Sequence, residues 1–102
     1  MGLLDWIIGK RPYPSAQGPE VKRLLDELFK IGRQDDFLSE RPGGAFNAQC
    51  RHIRAREIGQ RMNEIGGMTL MEYAHNRIRR KLGKEIGAHL EYAWAEIGRW
   101  MP

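Results

Sequence analysis

The histidines and carboxylates are the first residues to weigh for chemistry. Glu72 and His75 form a Glu-x-x-His, a pair that di-iron helical bundles use twice, together with further glutamates. This chain has it once. Its three histidines, His52, His75 and His89, fall on three different expected helices. They would make a three-nitrogen metal site only if the fold brought them together. His75 stands between Met71 and Ile78 on an apolar face, the ordinary place of a hydrogen-bonded core histidine, and Glu72 has a sufficient role as a capping acid. The only serines, Ser15 and Ser39, fall in expected loops, which leaves little material for a nucleophile. No Gly-rich phosphate loop and no Gly-x-Ser-x-Gly elbow is present. Asp35, Asp36 and Glu40 read as caps and solvated charges. The expectation is therefore no catalytic residue and no cofactor.

The arginines and lysines make a stronger pattern. The net charge is +4 and unevenly spread. Residues 1–50 balance, residues 51–84 hold nine basic and three acidic side chains, and residues 85–102 hold one and three. Arg77, Arg80, Lys81 and Lys84 are spaced to form one helical stripe. Arg51, Arg54 and Arg61 on the preceding helix would extend it. Such a stripe suits phosphate contacts, although cations are also favoured near a helix C-terminus. Base-reading side chains are scarce there, with Asn76 alone available.

A third group suits association with protein. Three tryptophans are many for so small a chain, and tryptophan is enriched where interfaces are strongest. Leu3, Leu4, Trp6 and Ile7 form a short amphipathic stretch, and Trp100 lies near the other end. The stretch is too short to be a stable helix alone, so it docks on the domain, on a twin subunit or on a membrane. A membrane surface is the weaker fit, since one short stretch binds it weakly. Trp6 occupies the position where a myristoylation pattern needs Ser or Thr.

The elements that must position these groups are helices. Residues 1–18 read as the amphipathic segment plus a linker rich in Pro and Gly, and residues 19–102 as one helical domain. Pro19 suits a first helical position. Val21, Leu24, Leu25, Leu28, Phe29 and Ile31 form an apolar stripe, with Gly32 as the terminator. Asp35 and Asp36 cap a short turn that points Phe37 and Leu38 inward. Glu40–Gly44 is a loop, and Asn47 caps the next helix. That helix carries Phe46, Cys50, Ile53, Ile58, Met62 and Ile65 on its inner face, so Cys50 reads as a buried, inert thiol. Gly66 takes the left-handed conformation that ends it and Gly67 continues the turn. Thr69 is the N-cap of the following helix with Glu72 as its capping-box partner, and Met68 and Tyr73 form a hydrophobic staple. Met71, Ala74, His75, Ile78 and Leu82 form that helix's inner face. So short a link makes the two helices antiparallel. Gly83 is a break, and Ile86, Leu90, Ala93, Trp94, Ile97 and Met101 define a last helix running nearly to the end. Within the helical domain Ile-Gly recurs at 31, 58, 65, 86 and 97, which marks Gly59 and Gly87 as places of close helix approach.

Hydrophobic content of 41% and charged content of 29% belong to an ordinary folded domain. One cysteine excludes an internal disulfide, and no apolar run reaches a membrane span, so a reducing cytoplasm is expected. The runs Ala55–Met71 and Leu90–Trp100 resemble short bacterial proteins of uncharacterised function, over about the C-terminal half of the chain. That resemblance implies a bacterial, cytoplasmic source and a helical fold, and carries no activity.

The expected architecture is all-α: a compact bundle of about four helices with a central antiparallel helical hairpin and a short N-terminal amphipathic segment. The expected role is a non-catalytic module that binds an unknown protein partner or itself as a homodimer. A basic nucleic-acid-binding module is the alternative, and a metal- or small-ligand-binding bundle comes third.

Overall fold

Val21, Leu24, Leu25, Leu28, Phe29 and Ile31 are all buried, and together they make the inner face of the first helix, α1, Gly18–Arg33. A 3-10 turn at Ser15–Gln17 leads into it, and Pro19 sits in its first turn, where the missing N–H has no partner to lose. The computed structural model describes residues 12–35, 37–38 and 46–100, with backbone alone at 46–49. Helix α2 spans Phe46–Leu82 and α3 spans Lys84–Ala93. No strand occurs among the described residues, and the protein is all-α. The expected loop at 40–44, the side chain of Asn47 and the segment 1–11 lie outside the described residues.

Among the described residues three α-helices stand where about four were expected, because the expected count divides at Gly67 what is here one helix, α2. Within α2 the backbone leaves helical geometry at Gly67 alone, with φ 65° and ψ −158°. That region is open to essentially glycine only. The left-handed residue is thus Gly67 and not Gly66. Gly66 stays helical and is required for a different reason: a Cβ there would overlap the carbonyl oxygen of Pro12 and crowd Leu70. The break at Gly67 also moves the start of the second limb. Thr69, expected as its N-cap, has helical backbone two residues further in and is exposed. Met68 and Tyr73 both pack, partly buried, against the core.

The first limb turns inward part of the face read in the sequence, Ile58 and Met62 with Ile65 partly buried beside them, but not its beginning. Ala55, Ile58 and Met62 are fully buried, whereas Ile53 is 55% exposed and Cys50 is exposed. The step of five from Ile53 to Ile58 is the reason: five residues turn a helix well past one revolution, so the two cannot share a narrow stripe. Cys50 is consequently not a core thiol. On the second limb Leu70, Met71, Ala74, His75 and Ile78 are buried. Gly32 does not end α1 either. It lies inside the helix, buried, where a Cβ would meet Leu82 and Phe37.

Helix α3 ends at Ala93, short of its expected length, with Trp94 at its C-cap. Glu96 at φ 70° reverses the chain, and its N–H donates to the Trp100 carbonyl at 3.0 Å. The Trp94 indole lies over Gly59, where a Cβ would stand 2.7 Å from its Cδ1. Trp94 Nε1 donates to the Ala55 carbonyl at 2.9 Å. Trp100 packs edge-on against Trp94 with ring centroids 5.4 Å apart, and is itself buried. Gly87 presses on the side chain of Arg79 in the same close fashion as Gly59 on Trp94.

Candidate functional site

The fold gives each histidine its own oxygen partner and leaves the three apart. His52 Nδ1 lies 2.7 Å from the Phe37 carbonyl oxygen, so the ring donates there. His89 Nδ1 lies 2.6 Å from Asp35 Oδ1, which gives Asp35 a tertiary partner beyond any capping role. His75 is buried, and its Nε2 faces the Gly87 carbonyl at 3.0 Å and Glu91 Oε2 at 3.1 Å. Its ring also meets Trp100 edge-on at 5.4 Å. Glu72, its Glu-x-x-His companion, is exposed. No group of three His, Cys, Asp or Glu able to hold a metal ion occurs among the described residues. Each of the metal candidates His52, His75 and His89 thus turns one ring nitrogen to an oxygen of another segment.

The arginines of the first limb are also committed internally. Arg54 Nε and Nη2 donate to both oxygens of Glu27 at 2.7 and 2.9 Å, and its Nη1 reaches Glu57 at 3.3 Å. Arg61 repeats the fork on Glu20 at 2.6 and 3.0 Å, with Glu64 at 3.0 Å from Nη1. Hydrogen bonds from these guanidinium groups hold the Glu20 and Glu27 carboxyls below the usual glutamate value, outweighing the opposite pull of desolvation. In return Arg54 and Arg61 are pushed higher still. Arg56 donates to the Ala93 and Ala95 carbonyls at 2.7 and 3.0 Å, fixing the end of α3. Arg51 is half-buried. The basic stripe expected to run across both limbs thus splits: Arg54 and Arg61 bind α1.

What remains outward is the second limb, and it borders a groove. Tyr13, Val21, Leu25, Phe29 and Tyr73 line a depression of about 490 Å³ between α1 and that limb, with Lys22, Asp26 and Arg77 at its edge. A second depression of about 280 Å³, lined by Phe29, Arg77, Arg80 and Lys81, adjoins it at Phe29 and Arg77. Tyr13 meets Tyr73 edge-on at 6.3 Å. The cations stand over the aromatic floor: Arg77 Cζ lies 5.9 Å from the Tyr73 centroid, and Arg33 and Lys81 each lie 5.8 Å from that of Phe29. Each such contact is worth about 0.5–1 kcal/mol at exposed sites. It also holds the charged group at the lip of the groove.

Of the cationic set read from the sequence, the structure gathers Arg77, Arg80 and Lys81 at this groove. Lys84 is exposed at the start of α3. Tyr13, Phe29 and Tyr73 were missed as a group. They lie far apart in sequence, and only Tyr73, at i, i+4 and i+8 with Arg77 and Lys81, left a local signal. Among the association candidates, Leu3, Leu4, Trp6 and Ile7 lie outside the described residues, and Trp100 is core rather than surface because α3 ends early and the tail folds under it. No helix of the described residues is long and apolar enough to cross a membrane. No protein-family model, no curated protein and no solved structure matches the chain.

Proposed function

We propose that this chain is a non-catalytic, cytoplasmic protein-interaction module. The observation that carries the reading is the groove between α1 and the second limb of α2, where apolar side chains form the floor and cations the lip. A two-helix groove of this kind is suited to an amphipathic helix from a partner. The module's framework in this reading is an antiparallel hairpin formed by the two limbs of α2. Its support is that Glu20 and Glu27 pair with Arg61 and Arg54 in reverse order along the first limb, while Tyr73 and Lys81 follow α1 in the same order along the second.

Binding is tested by placing a photoreactive amino acid at Lys22, in the groove, and at Gln60, an exposed position on the first limb. Irradiation in cells is expected to give a discrete protein adduct from position 22 and none from position 60. Equal labelling from both positions, or nucleic-acid adducts alone, would overturn the reading. Nucleic acid is the second reading, supported by Arg77, Arg80, Lys81 and Lys84, whose side chains meet no carboxylate ion-pair partner among the described residues.

A further inference from the structure

We infer that the occupant of the groove is an acidic amphipathic helix of about three turns, supplied by a partner protein. The inference rests on the protein-binding reading and adds the chemistry of the partner. Length comes from α1: from Gly18 to Phe29 the groove follows the helix for about 16 Å at 1.5 Å per residue. A helix of that length presents a single stripe of apolar side chains, which would meet the half-buried Tyr13 and Tyr73 rings above the buried Val21, Leu25 and Phe29.

The charge of the occupant comes from the lip. Lys22, Arg77, Arg80 and Lys81 line the two adjoining depressions against one carboxylate, Asp26, which already pairs with Lys22 at 3.2 Å. Arg33 adds a further cation over Phe29. Carboxylates on the flanks of a docked helix would meet Arg77 and Arg80 from above, where guanidinium groups bind them in a two-pronged fashion. The first limb shows the same chemistry inside the molecule, in the forks from Arg54 and Arg61 to the glutamates of α1.

The chain's own residues 1–11 carry the wrong charge for this place, with Lys10 and Arg11 against Asp5. A single nucleic-acid strand fits less well. Such sites hold bases on open aromatic faces, whereas here Arg77 stands over the Tyr73 ring and Arg33 and Lys81 over that of Phe29.

The test uses the full chain and a fluorescent, lactam-bridged peptide of about three turns, with leucines at i, i+3, i+4 and i+7 and glutamates elsewhere. Controls are the same peptide with lysines for glutamates, oligothymidylate, and a peptide of residues 1–11. The glutamate peptide is expected to bind and the lysine peptide not. Arg77→Glu with Lys81→Glu should weaken binding about tenfold or more, while Lys84→Glu, a charge reversal outside the groove, should leave it unchanged. The lysine peptide needs no altered protein, so the charge requirement is read even if the double variant is misfolded. Equal binding of both peptides would overturn the acidic partner and leave the protein-binding groove standing. Binding of oligothymidylate alone would overturn both. Tighter binding of the 1–11 peptide, or protein dimers that shut out the probe, would show that the chain fills its own groove. Absence of all binding would overturn the acidic helix, with the crosslink from position 22 still deciding the broader reading.

Discussion

Arg54 grips Glu27 with two nitrogens at 2.7 and 2.9 Å, and seven residues along each helix Arg61 grips Glu20 in the same way. Seven residues are two helical turns, so the forks form two rungs between α1 and the first limb of α2. They fix the register of one helix on the other where the apolar stripe alone would allow sliding. Because the rungs take up these arginines, Arg54 and Arg61 are withdrawn from the basic stripe, and Arg77, Arg80 and Lys81 are the part of it that borders the groove.

The rung pairing is expected to show as coupling. Arg54→Ala and Glu27→Ala should each destabilise modestly, and the double variant by less than their sum, with a coupling of about 1 kcal/mol at the upper end for a partly exposed pair. Urea melts of the four proteins measure it. Strict additivity would mean that the fork contributes nothing.

The same pairs set an acid limit. Glu20 and Glu27 are held below the ordinary value of 4.5 in the folded chain. In the unfolded chain they return to it, so near that pH the unfolded state binds more protons. Their stabilisation is present above about pH 4.5 and is lost as pH falls below it toward the folded values. Glu20→Gln with Glu27→Gln should flatten the loss of melting temperature between neutral pH and pH 4. An equally steep acid decline in that variant would remove these carboxyls from the explanation.

Two adjacent glycines are expected to fail for different reasons. Gly67→Ala should cost about 1–3 kcal/mol through its backbone conformation alone, since a Cβ at that position meets open space. Gly66→Ala should destabilise through crowding against Pro12 and Leu70. Gly66→Ala is therefore the one of the two that a version beginning at Ser15 would tolerate better. Thr69→Ala should change the melting curve by less than about 0.5 kcal/mol, as at other exposed positions. A large loss at Thr69 would restore it as a cap.

The two buried tryptophans also separate. Trp94 Nε1 is bonded to the Ala55 carbonyl, whereas Trp100 Nε1 is buried with no hydrogen-bond partner among the described residues. Trp94→Phe removes this buried hydrogen bond, at about 0.5–1.5 kcal/mol, from a carbonyl that α2 also uses. Trp100→Phe removes a donor that has none to lose. Thermal melts should rank Trp94→Phe as clearly the more damaging, and the opposite order would contradict the packing of the tail.

Much of the fold was legible where periodicity was long and unbroken. The stripe from Val21 to Ile31 named the inner face of α1 because all six of its residues fall in phase. On the first limb the phase slips between Ile53 and Ile58, so Cys50 and Ile53 were placed inside when they face out. The glycine pair announced a break, but spacing cannot say which of two neighbours leaves the helix, and with that the cap moved from Thr69. The basic stripe was legible as charge. Its division into internal rungs and a free lip was not, because partner choice depends on Glu20 and Glu27, more than twenty residues away. The groove floor joins Phe29 to Tyr73 across the fold, a relation that no local window holds.

The most direct test of the groove as the working surface is an NMR titration of isotope-labelled protein with the glutamate-faced peptide. The account predicts that amide signals of Val21, Leu25, Phe29, Tyr73 and Arg77 move in a saturable way, while those of Ile53, Glu57 and Gln60 stay in place. Movement centred on Ile53 and its neighbours, or no saturable movement at all, would contradict it.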